Sequence, residues 1–195
     1  MQENKTKPDG RRVRMTKMLL KQSLIELMHE KSIHEISIKD ICKGADINRS
    51  TFYRHYNTQY ELYDDILEDI SSDISEIYTR CAGEDYTTQL FLAEVLKYIE
   101  SRRDTFLVIL SEHSNIGMGE TFTRFTNRFI SLENDSTLKI YLVQFVAAGM
   151  TSLIWTWLNQ EKRYSAEDVA ILISSIMTHG LKRSINFART MQEKE

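Results

Sequence analysis

Apolar residues return every three or four positions along most of this 195-residue chain, and they never alternate for more than a few residues. That period belongs to helices, so the pattern predicts an all-α protein. Leu20, Leu24, Leu27 and Met28 form one stripe, on a first helix expected over residues 11–31. Ser37 with Asp40 three residues later is a capping pattern in which the hydroxyl takes an orphan N–H and the carboxylate reaches back. It opens a second helix whose inner face is Ile38, Ile41, Cys42 and Ala45. In "ADIN" the chain breaks, with Asp46 able to adopt a left-handed conformation and Asn48 able to cap. A short third helix is expected over 49–56, and a fourth from Thr58 to about Arg80, with Glu61 completing a second capping pattern.

Two short helices joined by a tight break are a helix-turn-helix. On the third helix Phe52 and Tyr56 share one face, which must turn inward, while Arg49, Ser50, Tyr53 and Arg54 project from another. Thr51 and His55 lie along its edges. Short hydroxyls, an arginine that can grip guanine, and a tyrosine or histidine reaching phosphate suit a helix entering a major groove.

Charge sharpens this picture. Residues 1–57 hold 12 Lys and Arg against 7 Asp and Glu, and the remaining residues hold 13 against 21. The front is thus +5 and the body −8, so the total of −3 hides a basic module on an acidic one. Only the front is suited to a polyanion. The chain has one proline and seven glycines, which agrees with nearly continuous helix. Its two cysteines, Cys42 and Cys81, make no paired motif, the N-terminus has no apolar core of a secretion signal, and a reducing cytoplasm is the expected location. The five histidines fall in no metal-binding spacing, so neither a metal nor a cofactor is expected. Gly117 and Gly119 lack the Gly-Lys-Ser/Thr that a phosphate loop needs. No acid, base or nucleophile converges, and no catalytic residue is assigned.

The run "ISIKDICKGADINRSTFYRHYNTQYEL" resembles the DNA-binding segment of the TetR family of bacterial transcriptional regulators, with "TFYRHY" its most specific part. The resemblance covers about residues 11–63. It implies base-facing roles near Arg49, Ser50, Tyr53 and Arg54, and phosphate contacts from Thr51, Tyr53, His55, Ser37 and Lys39. It also implies a sequence-specific regulator: a ligand-responsive dimeric repressor on a double-stranded, pseudo-palindromic operator. Two positions depart from the family pattern, with Asp46 in place of the turn glycine and Gln59 in place of a lysine at the start of the fourth helix.

The expected organisation is a DNA-binding domain over 11–57, a connecting helix over 58–80, and a helical sensing and dimerisation domain over 81–190. "CAGED" breaks the chain, and helices follow at about 87–101, 103–112, 119–131, 136–160 and 165–188. Residues 140–160 hold no charge and are long enough to span a bilayer. Gln144, Thr151, Ser152, Thr156 and Asn159 within the run argue against a membrane. A helix apolar on every side is buried on every side, either at the centre of its own fold or against a second copy. The family resemblance implies a homodimer through the last two helices, for which Phe145, Gly149, Ile173 and Met177 are the candidates. Phe91, Tyr98, Phe106, Trp155 and Trp157 are candidates to line an effector site, though aromatic residues at helical spacing also serve as plain core. No polar group converges to define an effector's class. A helical enzyme and a membrane-anchored DNA-binding protein stay open as the other readings at this level.

Overall fold

The computed structural model describes residues 8–81, 87–111 and 137–181. Among them the chain is helical, with α1 (Pro8–Met28), α2 (Ile38–Gly44), α3 (Arg49–Phe52), α4 (Gln59–Cys81), α5 (Thr88–Ser101), α6 (Arg103–Leu110), α7 (Thr137–Asn159) and α8 (Ala166–Ser175). A 3₁₀ turn, Ile33–Glu35, precedes α2, and a π-helical stretch, Ile176–Leu181, continues α8. The helix expected at 119–131, the Ser136 cap and the end of the last helix beyond 181 lie outside the described residues. The chain divides between Asp69 and Ile70 into two compact units, a cut that falls within α4.

In the first unit, α1 starts at Pro8, whose fixed φ and missing N–H suit a first helical position. Leu20, Leu24 and Met28 are buried on one stripe of α1, with Leu27 partly so. They share this core with Ile41 and Cys42 of α2, Phe52 of α3, and Leu62, Tyr63 and Ile66 of α4. α1 packs on α2, and α2 on α3.

In the second unit α5 packs on α8 and on α6, and α6 packs on α7. Phe91, Leu92, Leu96 and Ile99 of α5, Phe106 and Ile109 of α6, and Val169, Ala170 and Ile173 of α8 are buried. α7, which carries no charge beyond Lys139, buries Val143, Ala147, Met150, Ile154, Trp157 and Leu158 along one side. One carbonyl of its last turn is held by two cations: Arg103 Nε donates to Leu158 O at 2.9 Å, and Arg163 reaches the same oxygen at 3.4 Å. Positive charge at a helix C-terminus is favourable. Trp157 Nε1 donates to Tyr164 O at 2.9 Å, which satisfies its one polar atom. α8 opens as expected, with Ser165 Oγ accepting the Asp168 N–H at 3.1 Å.

Candidate nucleic-acid interface

Ser37 caps α2 in extended backbone conformation, and its Oγ accepts the Asp40 N–H at 3.2 Å. The Asp40 carboxylate does reach back, but to the Ser37 hydroxyl at 2.6 Å. That donated proton is the largest of the influences holding the Asp40 carboxyl below its ordinary range. At the other end of α2, Asp46 has φ 52°, the one positive φ outside glycine among the described residues. Ile47 N–H bonds Cys42 O at 2.9 Å and Asp46 N–H bonds Lys43 O at 3.3 Å. This pair of bonds is a Schellman closure with aspartate in the left-handed position usually taken by glycine.

Asn48 stands at the cap of α3, where its carbonyl accepts Thr51 N–H at 2.9 Å and Phe52 N–H at 3.1 Å, while its side chain makes no capping bond. The regular helix is shorter than the pattern predicts and ends at Phe52. Turn bonds carry the coil on to Tyr56, whose N–H takes Phe52 O at 3.0 Å. The connection is short, so the chain must tighten there to enter α4. At the start of α4, Glu61 N–H bonds Thr58 Oγ1 at 3.2 Å as expected, but the Glu61 carboxylate accepts from the Asn57 N–H at 2.8 Å.

The mixture of aromatic and polar residues in this segment divides by face. Phe52 is fully buried and Tyr56 nearly so, their rings 5.7 Å apart. Arg49, Ser50, Tyr53 and Arg54 are exposed, and Thr51 and His55 are half-buried at the margins. Tyr53 stands edge-on to Phe52 at 5.7 Å, which supports an aromatic residue that is 56% exposed. Ser37 and Lys39, on the first turn of α2, are exposed as well. His34 Nδ1 and Tyr60 OH share a hydrogen bond of 2.8 Å beside Gln59.

One cluster is invisible in the sequence because its members are far apart in the chain. The Tyr56 hydroxyl donates to Asp65 Oδ2, and Lys17 and Lys21 of α1 each place Nζ 3.1 Å from that same oxygen. Lys21 also pairs with Asp69 at 2.5 Å, and Lys17 Nζ lies 5.2 Å from the centroid of the Tyr56 ring. Burial and then the Asp65 carboxylate hold the Tyr56 phenol far above its ordinary range. Burial pushes the Asp65 carboxyl up, but the bonds from Tyr56, Lys21 and Lys17 outweigh it and leave it lowered.

In the second unit the candidate effector residues separate. Phe91 and Phe106 are fully buried, edge-on to Tyr78 and Tyr98 respectively. Tyr98 OH donates to Asp73 at 2.7 Å, and Arg102 pairs with that carboxylate at 3.2 Å while lying 5.1 Å from the Tyr98 ring centroid. Trp155 is on the outer side of α7, and Trp157 on its inner side. Of the candidate interface residues, Phe145 is 78% exposed, Gly149 is exposed, Met177 is half-buried, and Ile173 is on the buried side of α8.

Comparison with known proteins assigns both units. Residues 23–66 match the family model described as bacterial regulatory proteins, tetR family, and residues 86–179 match one described as a transcriptional regulator C-terminal region, also of TetR type. A transcriptional activator of the dhaKLM operon from Lactococcus lactis, DhaS, is 29% identical over 89 residues, which are 46% of this chain and 46% of that protein. An HTH-type transcriptional regulator from Bacillus subtilis, YxbF, is 30% identical over 57 residues, 29% of this chain and 15% of its own length. The chain therefore spans about half or less of the curated relatives it matches. The solved structure of a TetR transcriptional regulator from Streptococcus agalactiae shares the fold, with a TM-score of 0.63, 21% identity and coverage of 86% of this chain and 96% of that one. With the helix-turn-helix geometry already described, the two family matches make this chain a member of the TetR family of bacterial transcriptional regulators.

Proposed function

We propose that the protein is a homodimeric, ligand-responsive repressor that binds a pseudo-palindromic DNA operator in the cytoplasm. The observation that carries this reading is the division of residues 49–56, with Phe52 and Tyr56 buried and Arg49, Ser50, Tyr53 and Arg54 exposed together. Arg49 and Arg54 would read base edges, and Ser37, Lys39, Thr51, Tyr53 and His55 would hold phosphates. The +5 balance of residues 1–57 favours a polyanion at this end.

A second copy supplies what α7 lacks. Its outer side carries Ile140, Tyr141, Phe145 and Trp155, with Gly149 between them, and α8 adds Ile171 and Leu172. α7 is long and apolar enough to cross a membrane by length and composition alone. Pairing with another protomer covers the same surface without lipid, and a soluble dimer in the absence of detergent distinguishes the two. Two recognition segments would then enter successive major grooves, about 34–36 Å apart. An effector that binds better to a conformation with another spacing would release the DNA through that difference in affinity.

The test is selection of bound fragments from genomic DNA by the purified protein, followed by a reporter driven from the selected site. Repression requires a palindromic site and lower expression in the presence of the protein. The activator designation of the Lactococcus lactis relative supports a second reading, in which expression rises. Recovery of no preferred sequence overturns both.

A further inference from the structure

The basic front of this chain does not all face outward. Lys17 and Lys21 meet Asp65 and Asp69, so two cations and two anions cancel between α1 and α4. Into that neutral cluster the last residue of the recognition segment inserts a single polar atom, the Tyr56 hydroxyl, which donates to Asp65. The rest of Tyr56 is an ordinary core ring, 5.7 Å from Phe52 and 6.3 Å from His55. A phenylalanine would fill that space equally well, so the hydroxyl adds direction rather than volume. Apolar ring contacts are not directional and tolerate small rotations of the segment about its own axis. The bond to Asp65, itself gripped by two lysines from α1, removes that freedom.

We propose that Tyr56, Asp65, Lys17 and Lys21 form a positioning cluster that sets the angle of the recognition segment and so favours operator over random DNA. This rests on the DNA-binding reading above. Phosphate contacts tolerate small rotations, because any duplex offers the same backbone, whereas bidentate contacts to base edges do not. The cluster should therefore act on discrimination, and its two lysines should make no phosphate contact of their own.

The experiment compares the full-length protein with Tyr56→Phe, Asp65→Asn, the double variant and Lys17→Met, on the selected operator and on random duplex at several salt concentrations. Circular dichroism and sedimentation serve as folding controls. Tyr56→Phe should lose about tenfold on the operator and less than twofold on random DNA, with its spectrum unchanged. The double variant should be no worse than Asp65→Asn alone, since that change already weakens the bond from Tyr56 together with the pairs to Lys17 and Lys21. Lys17→Met should weaken operator binding without flattening the salt dependence, where a lost phosphate contact would change the logarithmic slope by about 0.9. Operator binding by Tyr56→Phe within twofold of the parent overturns the proposal. So do equal losses on both DNAs that track a lower melting temperature, which mark a merely structural bond. A parent protein that prefers no sequence overturns the DNA-binding reading itself, and the cluster's role with it.

Discussion

A Cβ on Gly44 would stand 2.3 Å from the Oγ of Ser23. Ser23 is buried in α1, and its hydroxyl donates to the Ile41 carbonyl at 2.9 Å, so α1 and α2 meet where neither side can give way freely. Gly44→Ala must push that hydroxyl off its acceptor, and a buried unbonded hydroxyl costs about 1–3 kcal/mol. The helix propensity of alanine returns up to about 1 kcal/mol. The expected net is a loss of about 1 kcal/mol in urea unfolding, partly recovered in Ser23→Ala/Gly44→Ala. A single variant as stable as the parent would mean that the two helices separate without cost.

Asp46 tests the turn two residues later. A left-handed conformation costs an L-residue about 1–2 kcal/mol, and the φ of 52° shows that Asp46 bears it. Asp46→Gly removes that strain but frees the unfolded chain, by about 0.4–1 kcal/mol. A gain of about 0.5 kcal/mol is expected, against a loss for Asp46→Ala, which has neither glycine's freedom nor a polar side chain suited to that conformation. Thermal unfolding of the three proteins should rank them glycine, aspartate, alanine. Equal stability of the glycine and alanine variants would contradict the strain argument.

These two positions also show which features can be read from the amino-acid sequence. The left-handed turn and the caps at Ser37, Thr58 and Ser165 lie within three to five residues of their partners, and local spacing suffices to read them. The inward and outward faces of residues 49–56 follow from helical period and are legible for the same reason. The Gly44–Ser23 contact is not, because it depends on which sides of two helices meet. Nor is the pairing of Lys17 with Asp65, 48 residues away, which turns a cation of the basic front inward. In α7 periodicity fails for another reason: with apolar residues on every side there is no contrast to orient the helix. Sequence therefore offers both Trp155 and Trp157 as candidates for one site, although the fold sends them to opposite sides.

That same orientation defines the dimer test. Phe145 on α7 and Leu172 on α8 are exposed, so Phe145→Glu and Leu172→Glu should leave the protomer folded. In the dimer each would bury an unpaired charge, at a cost of about 3–5 kcal/mol. Sedimentation should then find monomers with unchanged circular dichroism. Ile173→Glu is the contrasting case, because Ile173 is buried within its own chain, and it should unfold the second unit. Both exposed variants remaining dimeric would exclude this surface as the interface.

The recognition segment should separate into three kinds of residue. Arg49 is exposed at the start of α3, and Arg49→Ala should weaken the selected operator by about 1–3 kcal/mol and relax preference at one base pair per half-site. Tyr53→Phe keeps the edge-on packing against Phe52 but deletes the hydroxyl, and should weaken operator and random DNA alike. Phe52→Ala should do neither selectively. It empties a fully buried site in a small core, which costs about 3–5 kcal/mol and unfolds the first unit. The second unit should survive all three changes, because its core is built from other residues, and circular dichroism with sedimentation can verify that. The decisive measurement is the ratio of operator to random-DNA affinity at several salt concentrations. If Arg49→Ala and Tyr53→Phe both bind the operator as the parent does, residues 49–56 do not read DNA, and their exposed face needs another explanation.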